Sequence, residues 1–140
     1  MKIAVVYWSS TGNTEAMAQA VVEGAKHAGA EAELFTAAEF DGGKMDEFDA
    51  VAFGCPAMGA EELEDGEFAP MFETCESKLS GKKIALFGSY GWGDGEWMRT
   101  WEDDCRANGM KLVCDSVICC EAPEDDALAQ CKKLGATLAG

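Results

Sequence analysis

Lysine and arginine are scarce in this 140-residue chain, 11 against 26 aspartates and glutamates, which leaves a formal net charge of −15. A field of that sign repels phosphate backbones and anionic lipid surfaces, so neither nucleic acid nor a membrane is an expected partner. A basic protein surface would instead be steered toward it, faster at low salt. The seven cysteines are odd in number and contain no Cys-x-x-Cys, which argues against a disulfide framework and a structural metal, and for reduced thiols in a cytoplasm. No stretch approaches a membrane span or a signal h-region, and a strand-like run begins at Lys2, so secretion is not expected. Neither Gly-x-x-x-x-Gly-Lys nor Gly-x-Gly-x-x-Gly occurs, which removes support for triphosphate and dinucleotide binding. His27, the only histidine, has no evident partner and reads as surface.

Leu, Ile, Val and Phe together number only 25, few enough that with this charge they would flag disorder. Alanine, seven Met, seven Cys and four Trp make up the shortfall, and the apolar runs sit where buried strands need them, so one folded domain of 140 residues is expected. Ile3 to Tyr7 is near-continuously apolar, as suits a strand covered on both faces. From Thr14 to Ala28 the spacing of Met17, Ala20, Val21, Gly24 and Ala25 predicts a helix stopped by Gly29. The alternation continues with strands at Ala32 to Phe35, Ala50 to Gly54, Ile84 to Gly88 and Leu112 to Cys120. Helices are predicted at Phe68 to Leu79, Glu96 to Asn108 and Asp125 to Leu138. Such an α/β order implies a parallel sheet with helices on both faces, and ligands in that architecture bind beyond the carboxyl ends of the strands.

Three segments fall at those ends. Trp8-Ser9-Ser10-Thr11-Gly12-Asn13-Thr14 joins a strand to a helix N-terminus, where free N–H groups, the helix dipole and a run of hydroxyls suit a single phosphate held without Lys or Arg. In Ser89-Tyr90-Gly91-Trp92-Gly93-Asp94-Gly95 a tryptophan stands among glycines, placed either to stack on a planar ring or to fold back over the sheet. In Cys55-Pro56-Ala57-Met58-Gly59-Ala60-Glu61-Glu62, Met58 offers a soft apolar surface to the opposite ring face. Neither 55–67 nor 88–96 holds a Lys, Arg or His, whereas the first holds Glu61, Glu62, Glu64, Asp65 and Glu67. A ligand among those carboxylates would resist gaining negative charge, which lowers the potential of a redox ring. Taken singly, Glu62, Glu64 and Asp65 read as a solvated loop face.

Jointly, Ser9 to Thr14, Pro56-Ala57-Met58-Gly59 with Glu61-Glu62-Leu63-Glu64, and Gly88 to Gly95 resemble flavodoxin, a small FMN-carrying electron-transfer protein, in the short-chain type of clostridia and related anaerobes. The resemblance implies a doubly wound five-stranded parallel sheet in the order 2-1-3-4-5, with Leu112 to Cys120 uninterrupted. It implies that Ser9, Thr11, Asn13 and Thr14 hold the FMN phosphate with the backbone of Ser10 and Gly12. Met58 would cover the inner ring face and Trp92 the outer, within the loops formed by Pro56 and Ala57 and by Ser89, Tyr90, Gly91 and Gly95. Glu61 would accept from the pyrimidine N3–H, and Gly59 would be the peptide that turns its carbonyl toward N5 on one-electron reduction. The implied function is a low-potential one-electron carrier, not an enzyme, cycling FMN between semiquinone and hydroquinone and substituting for ferredoxin. Its expected partners are basic-surfaced redox proteins, namely low-potential oxidoreductases and ferredoxin-dependent reductases, with the chain a cytoplasmic monomer. Trp97 and Trp101, four apart on a helix, are expected in the core, and Trp8 could shield the ribityl chain. The thiols of Cys55, Cys119 and Cys120 are expected to be small buried hydrophobes.

Three other readings share the architecture or a residue. A response-regulator receiver needs an Asp ending the third strand and a Lys after the fifth, where this chain has Gly54-Cys55 and Cys119-Cys120-Glu121. A cysteine phosphatase needs an Arg six positions after its thiolate, where Glu61 follows Cys55. A flavoenzyme of the quinone-reductase or nitroreductase class needs room and proton donors for a second substrate, and neither loop offers a general acid or base beyond carboxylates.

Overall fold

Three consecutive central strands carry almost no polar side chain, and each divides its residues between two apolar layers by simple alternation. A computed structural model describes residues 1–9, 12–58, 62–91 and 95–140. Strand β1 (Lys2–Tyr7) sends Ile3, Val5 and Tyr7 to one layer and Ala4 and Val6 to the other. β3 (Ala50–Gly54) sends Ala50 and Ala52 to the first and Val51 and Phe53 to the second, and β4 (Lys83–Tyr90) divides Ala85 and Phe87 from Ile84 and Leu86 in the same way. Burial on both faces is what a parallel sheet between two helical layers requires.

The first layer is closed by α1 (Asn13–His27) and α4 (Asp125–Ala139), which contribute Met17, Val21, Leu134 and Leu138. The second is closed by α2 (Phe68–Leu79) and α3 (Glu96–Ala107) with Phe68, Phe72, Trp97 and Trp101, so both tryptophans lie in the core. The alanines at 50, 52 and 85 leave little height above the sheet, which lets α1 and α4 sit close. The larger residues opposite them meet an aromatic layer.

All strand pairs are parallel, and the order is β2-β1-β3-β4-β5, with β2 at Glu31–Thr36. Because the chain runs from β1 to β2 on one side and then to β3 on the other, the order reverses between β1 and β3, and the crevice beyond their carboxyl ends is the place for a ligand. β2 is an edge strand that exposes Glu31, Glu33 and Leu34, charge that discourages pairing with another chain. Two short 3-10 turns, Ala37–Glu39 and Gly42–Glu47, follow it and have no counterpart in the sequence reading.

The fifth row departs from expectation. It is broken into β5 (Lys111–Leu112) and β6 (Val117–Cys120), both paired to β4. Ile84 faces Leu112 but Phe87 faces Val117, so two extra residues are accommodated between the pieces. An even excess leaves the side chains on their original faces, which is why an apolar run can look continuous from 112 to 120. Among the described residues no helix is long and apolar enough to cross a membrane.

Candidate functional site

The loops after β1, β3 and β4 converge, and Ser89 is where they meet. Its buried hydroxyl lies 3.0 Å from the hydroxyl of Thr14 in the first turn of α1, and its carbonyl accepts the Ala57 N–H at 3.0 Å. The Trp8 N–H continues the β1–β3 pairing onto the Gly54 carbonyl, and the Trp8 indole N–H donates to Glu67 at 3.2 Å. The hydroxyl loop, the Met58 loop and the start of α2 therefore form one connected rim.

At the N-terminus of α1 no side-chain cap is made among the described residues. Gly12, the N-cap, is left-handed at φ 94°, a conformation that favours glycine, and its N–H donates to the Ser9 hydroxyl at 3.1 Å. A helix of fifteen residues thus presents uncapped N–H groups beside the Ser9, Asn13 and Thr14 side chains, the donor set a phosphate needs. A cleft of about 350 Å³ opens next to it, lined by Tyr7, Trp8, Ser9, Gly12, Glu15 and Glu67 among others. Ser10 and Thr11 lie outside the described residues.

Pro56, Ala57 and Met58 are half-buried, and Met58 exchanges both backbone hydrogen bonds with Glu62, each 2.9 Å. Its tip, Gly59, Ala60 and Glu61, lies outside the described residues, as do Trp92, Gly93 and Asp94. The stems of the second loop are placed. Tyr90 is half-buried against Trp97, ring centres 5.5 Å apart, Gly91 is exposed, and Gly95 is the left-handed N-cap of α3 at φ 92°. A side chain at Gly95 would meet Ile118 at 2.9 Å.

One carboxylate contradicts the solvated-face reading. Glu64 is buried, and it accepts from the backbone N–H groups of Gly66, Glu67 and Phe68 at 2.6, 2.7 and 2.7 Å. Burial pushes its carboxyl up, but the N–H bonds from Phe68, Glu67 and Gly66 together outweigh that and hold it below the ordinary carboxylate range. Its stabilising effect is therefore present above the carboxylate's unfolded pKa and is lost only as pH falls through the lowered value. Glu62 and Asp65 are exposed, as expected. No sequence pattern marks Glu64, because the capping partner lies in the loop and not in a regular N-cap position.

The thiols also divide. Cys55 is fully buried, and burial, helped by the nearby Glu64 charge and only partly offset by the Glu64 N–H, pushes its thiol up to about 12. Cys119 is half-buried but Cys120, the last residue of β6, is exposed, so the expectation of a buried hydrophobe fails there. Cys120 should accordingly be alkylated by iodoacetamide in the native protein well before Cys55, Cys75, Cys105 and Cys131, all buried. Intact-mass and peptide mapping check this, and equal labelling of Cys55 and Cys120 would show that the site end of β3 is open. His27 is exposed, as expected. It borders a cleft of about 860 Å³ between α1 and α4, about 20 Å along α1 from the hydroxyl loop.

A family model for flavodoxin matches residues 5–135. The chain belongs to the flavodoxin family. It is 43% identical over 136 residues to a flavodoxin of Megasphaera elsdenii, covering 95% of each chain, and 41% identical over 135 residues to one of Clostridium beijerinckii, covering 96% and 97%. The solution structure of two-electron reduced M. elsdenii flavodoxin superposes with a TM-score of 0.90 at 44% identity, covering 98% of both chains. Flavodoxins are FMN-binding electron carriers rather than enzymes, and the short-chain resemblance and the 2-1-3-4-5 order both hold. The residues present fit FMN: a helix N-terminus at α1 with the Ser9 and Thr14 hydroxyls near it, and the Met58 loop stem tied to Ser89 at the end of β4. Among the described residues no group of three or more His, Cys, Asp or Glu could hold a metal ion.

Proposed function

We propose that this flavodoxin is a low-potential one-electron carrier that holds FMN non-covalently and moves between its one-electron and two-electron reduced forms, substituting for ferredoxin between redox enzymes in an anaerobic cytoplasm. The observation that carries this reading is that Ser89, at the end of β4, bonds both Thr14 in the first turn of α1 and Ala57 in the Met58 loop, beside loops 55–67 and 88–96 that contain no Lys, Arg or His. Bound FMN supplies the electron-accepting ring, and the protein supplies position and charge. Ser9, Asn13 and Thr14, with Ser10, Thr11 and the backbone of Gly12, hold the phosphate. Met58 covers one ring face and Trp92 the other, flanked by Pro56, Ala57, Tyr90, Gly91 and Gly95, while Glu61 accepts from the pyrimidine N–H and Gly59 supplies a peptide free to turn. The surrounding carboxylates oppose the last electron, because added negative charge meets like charge in a poorly solvated place.

Docking needs only an exposed ring edge and an acidic rim, which suits basic-surfaced low-potential oxidoreductases and ferredoxin-dependent reductases met by a monomer. The test is an anaerobic reductive titration of the FMN-loaded protein. Two resolved one-electron steps, the second at much lower potential, are expected. A single two-electron step would overturn the carrier reading in favour of a flavoenzyme, and failure to take up FMN would overturn the site.

A further inference from the structure

We propose that Glu64 is the positioning residue for the loop that receives the flavin ring, acting through the backbone it anchors and not through its charge alone. The inference rests on the FMN reading above and adds a residue to it. Of the described carboxylates between Cys55 and α2, Glu64 is the buried one: Glu62, Asp65 and Glu67 are exposed. Its Oε1 accepts from the N–H groups of Glu67 and Phe68, and its Oε2 from that of Gly66. The Glu67 and Phe68 N–H groups are helix-start donors that α2 cannot satisfy within itself, Gly66 lies one residue before its N-cap, and a carboxylate among them gains from both charge assistance and the helix dipole.

The backbone of the same residue reaches in two further directions. The Glu64 N–H donates to the buried Cys55 sulfur at 3.4 Å, and its carbonyl accepts the Ala69 N–H at 2.9 Å. Glu64 thus fastens the end of β3 to the start of α2. Two residues before it, Glu62 exchanges both backbone hydrogen bonds with Met58, so the described residues that flank 59–61 are tied to each other. Gly66 completes the device. A methyl there would lie 2.7 Å from Glu64 Oε2, so glycine at 66 is what lets the carboxylate approach.

Charge and geometry separate by substitution. Glu64→Gln keeps one accepting oxygen but sets its amide N–H against the Gly66 N–H. Glu64→Asp keeps the charge on a stem one methylene too short for the three donors. Gly66→Ala keeps the carboxylate and displaces it. Asp65→Asn removes an equal charge from an exposed position in the same loop. FMN dissociation constants and the two one-electron potentials are measured for each variant and the parent. The first three are expected to weaken FMN binding about tenfold or more, the equivalent of losing one hydrogen bond to a charged group, and to bring the two potentials closer together. Asp65→Asn is expected to shift affinity far less. Wild-type behaviour of Glu64→Asp and Gly66→Ala, or equal effects of Glu64→Gln and Asp65→Asn, would overturn the proposal and leave charge alone. Should Glu64→Gln not fold, Gly66→Ala and Glu64→Asp still decide it. If the parent takes up no FMN the functional reading itself fails, whereas a normal parent with unaffected variants refutes only the role of Glu64.

Discussion

Replacing Gly24 with alanine should lower the thermal midpoint by about 8 °C. Where α1 crosses α4, a methyl group at Gly24 would fall on the main-chain carbonyl of Lys132, and one at Gly135 on the carbonyl of Val21 and 2.9 Å from the Ala25 nitrogen. The two helices meet backbone to backbone, over the sheet face that carries Ala50, Ala52 and Ala85. Neither colliding group is a side chain that can turn away, so the helices must part. The cost lies at the upper end for overpacking, about 3 kcal/mol. Alanine returns about 1 kcal/mol of helix propensity, leaving a net loss of about 2 kcal/mol, or roughly 4 °C per kcal/mol for a domain of this size. Gly135→Ala should behave similarly. The double variant should cost less than the sum, because the separation forced by the first methyl already makes room for the second. Thermal and denaturant unfolding of the three variants measure this. An unchanged midpoint, or strict additivity, would mean that the helices do not touch at these glycines.

Gly88→Ala should damage both stability and cofactor uptake, because it strikes a carbonyl that joins the core to the Met58 loop stem. A methyl at Gly88 would collide with the Cys55 carbonyl oxygen and lie 3.2 Å from the Trp97 ring. That carbonyl accepts the buried Trp97 indole N–H at 3.2 Å. Moving it strands a buried donor, at about 1–3 kcal/mol, in addition to the overpacking itself. Cys55 also begins the stem that carries Pro56 to Met58, and Ser89, the next residue after Gly88, joins the loops. A shift there should weaken FMN binding about tenfold, the equivalent of roughly 1.4 kcal/mol. Trp97→Phe loses the hydrogen bond without adding the methyl, so it should lower stability while leaving FMN affinity within about threefold. Equal loss of affinity in both variants would show that Trp97, and not the Cys55 carbonyl, governs the loop.

Much of the architecture was legible in the chain because its signals are local. Ile3 to Tyr7 and Ala50 to Gly54 read as buried strands, and the structure places strands at Lys2–Tyr7 and Ala50–Gly54. The helix predicted over Phe68 to Leu79 is observed with the same bounds, and Gly29, the expected stop, is left-handed at φ 93°. Parallel pairing followed from the alternation of elements, and the placing of the three loops followed from parallel pairing. The loop motifs carried the family because they hold runs of hydroxyls, glycines and aromatic or sulfur side chains that plain turns do not require.

The break in the fifth row was not legible, since an even insertion preserves the facing of every apolar residue around it and appears only as a change of register against β4. Nor was the role of Glu64, which in sequence is one of five acids in a loop and becomes distinct only when Gly66, Glu67 and Phe68 turn their N–H groups onto it. Thr14 and Ser89 stand 75 positions apart, and nothing about either serine or threonine announces the other. Residue type and spacing by themselves determined the central strands, the helices and the acidic character of the 55–67 loop. Only the tertiary structure decided which polar groups were removed from water, and with which partners, because burial is a property of the packed chain and not of any segment within it.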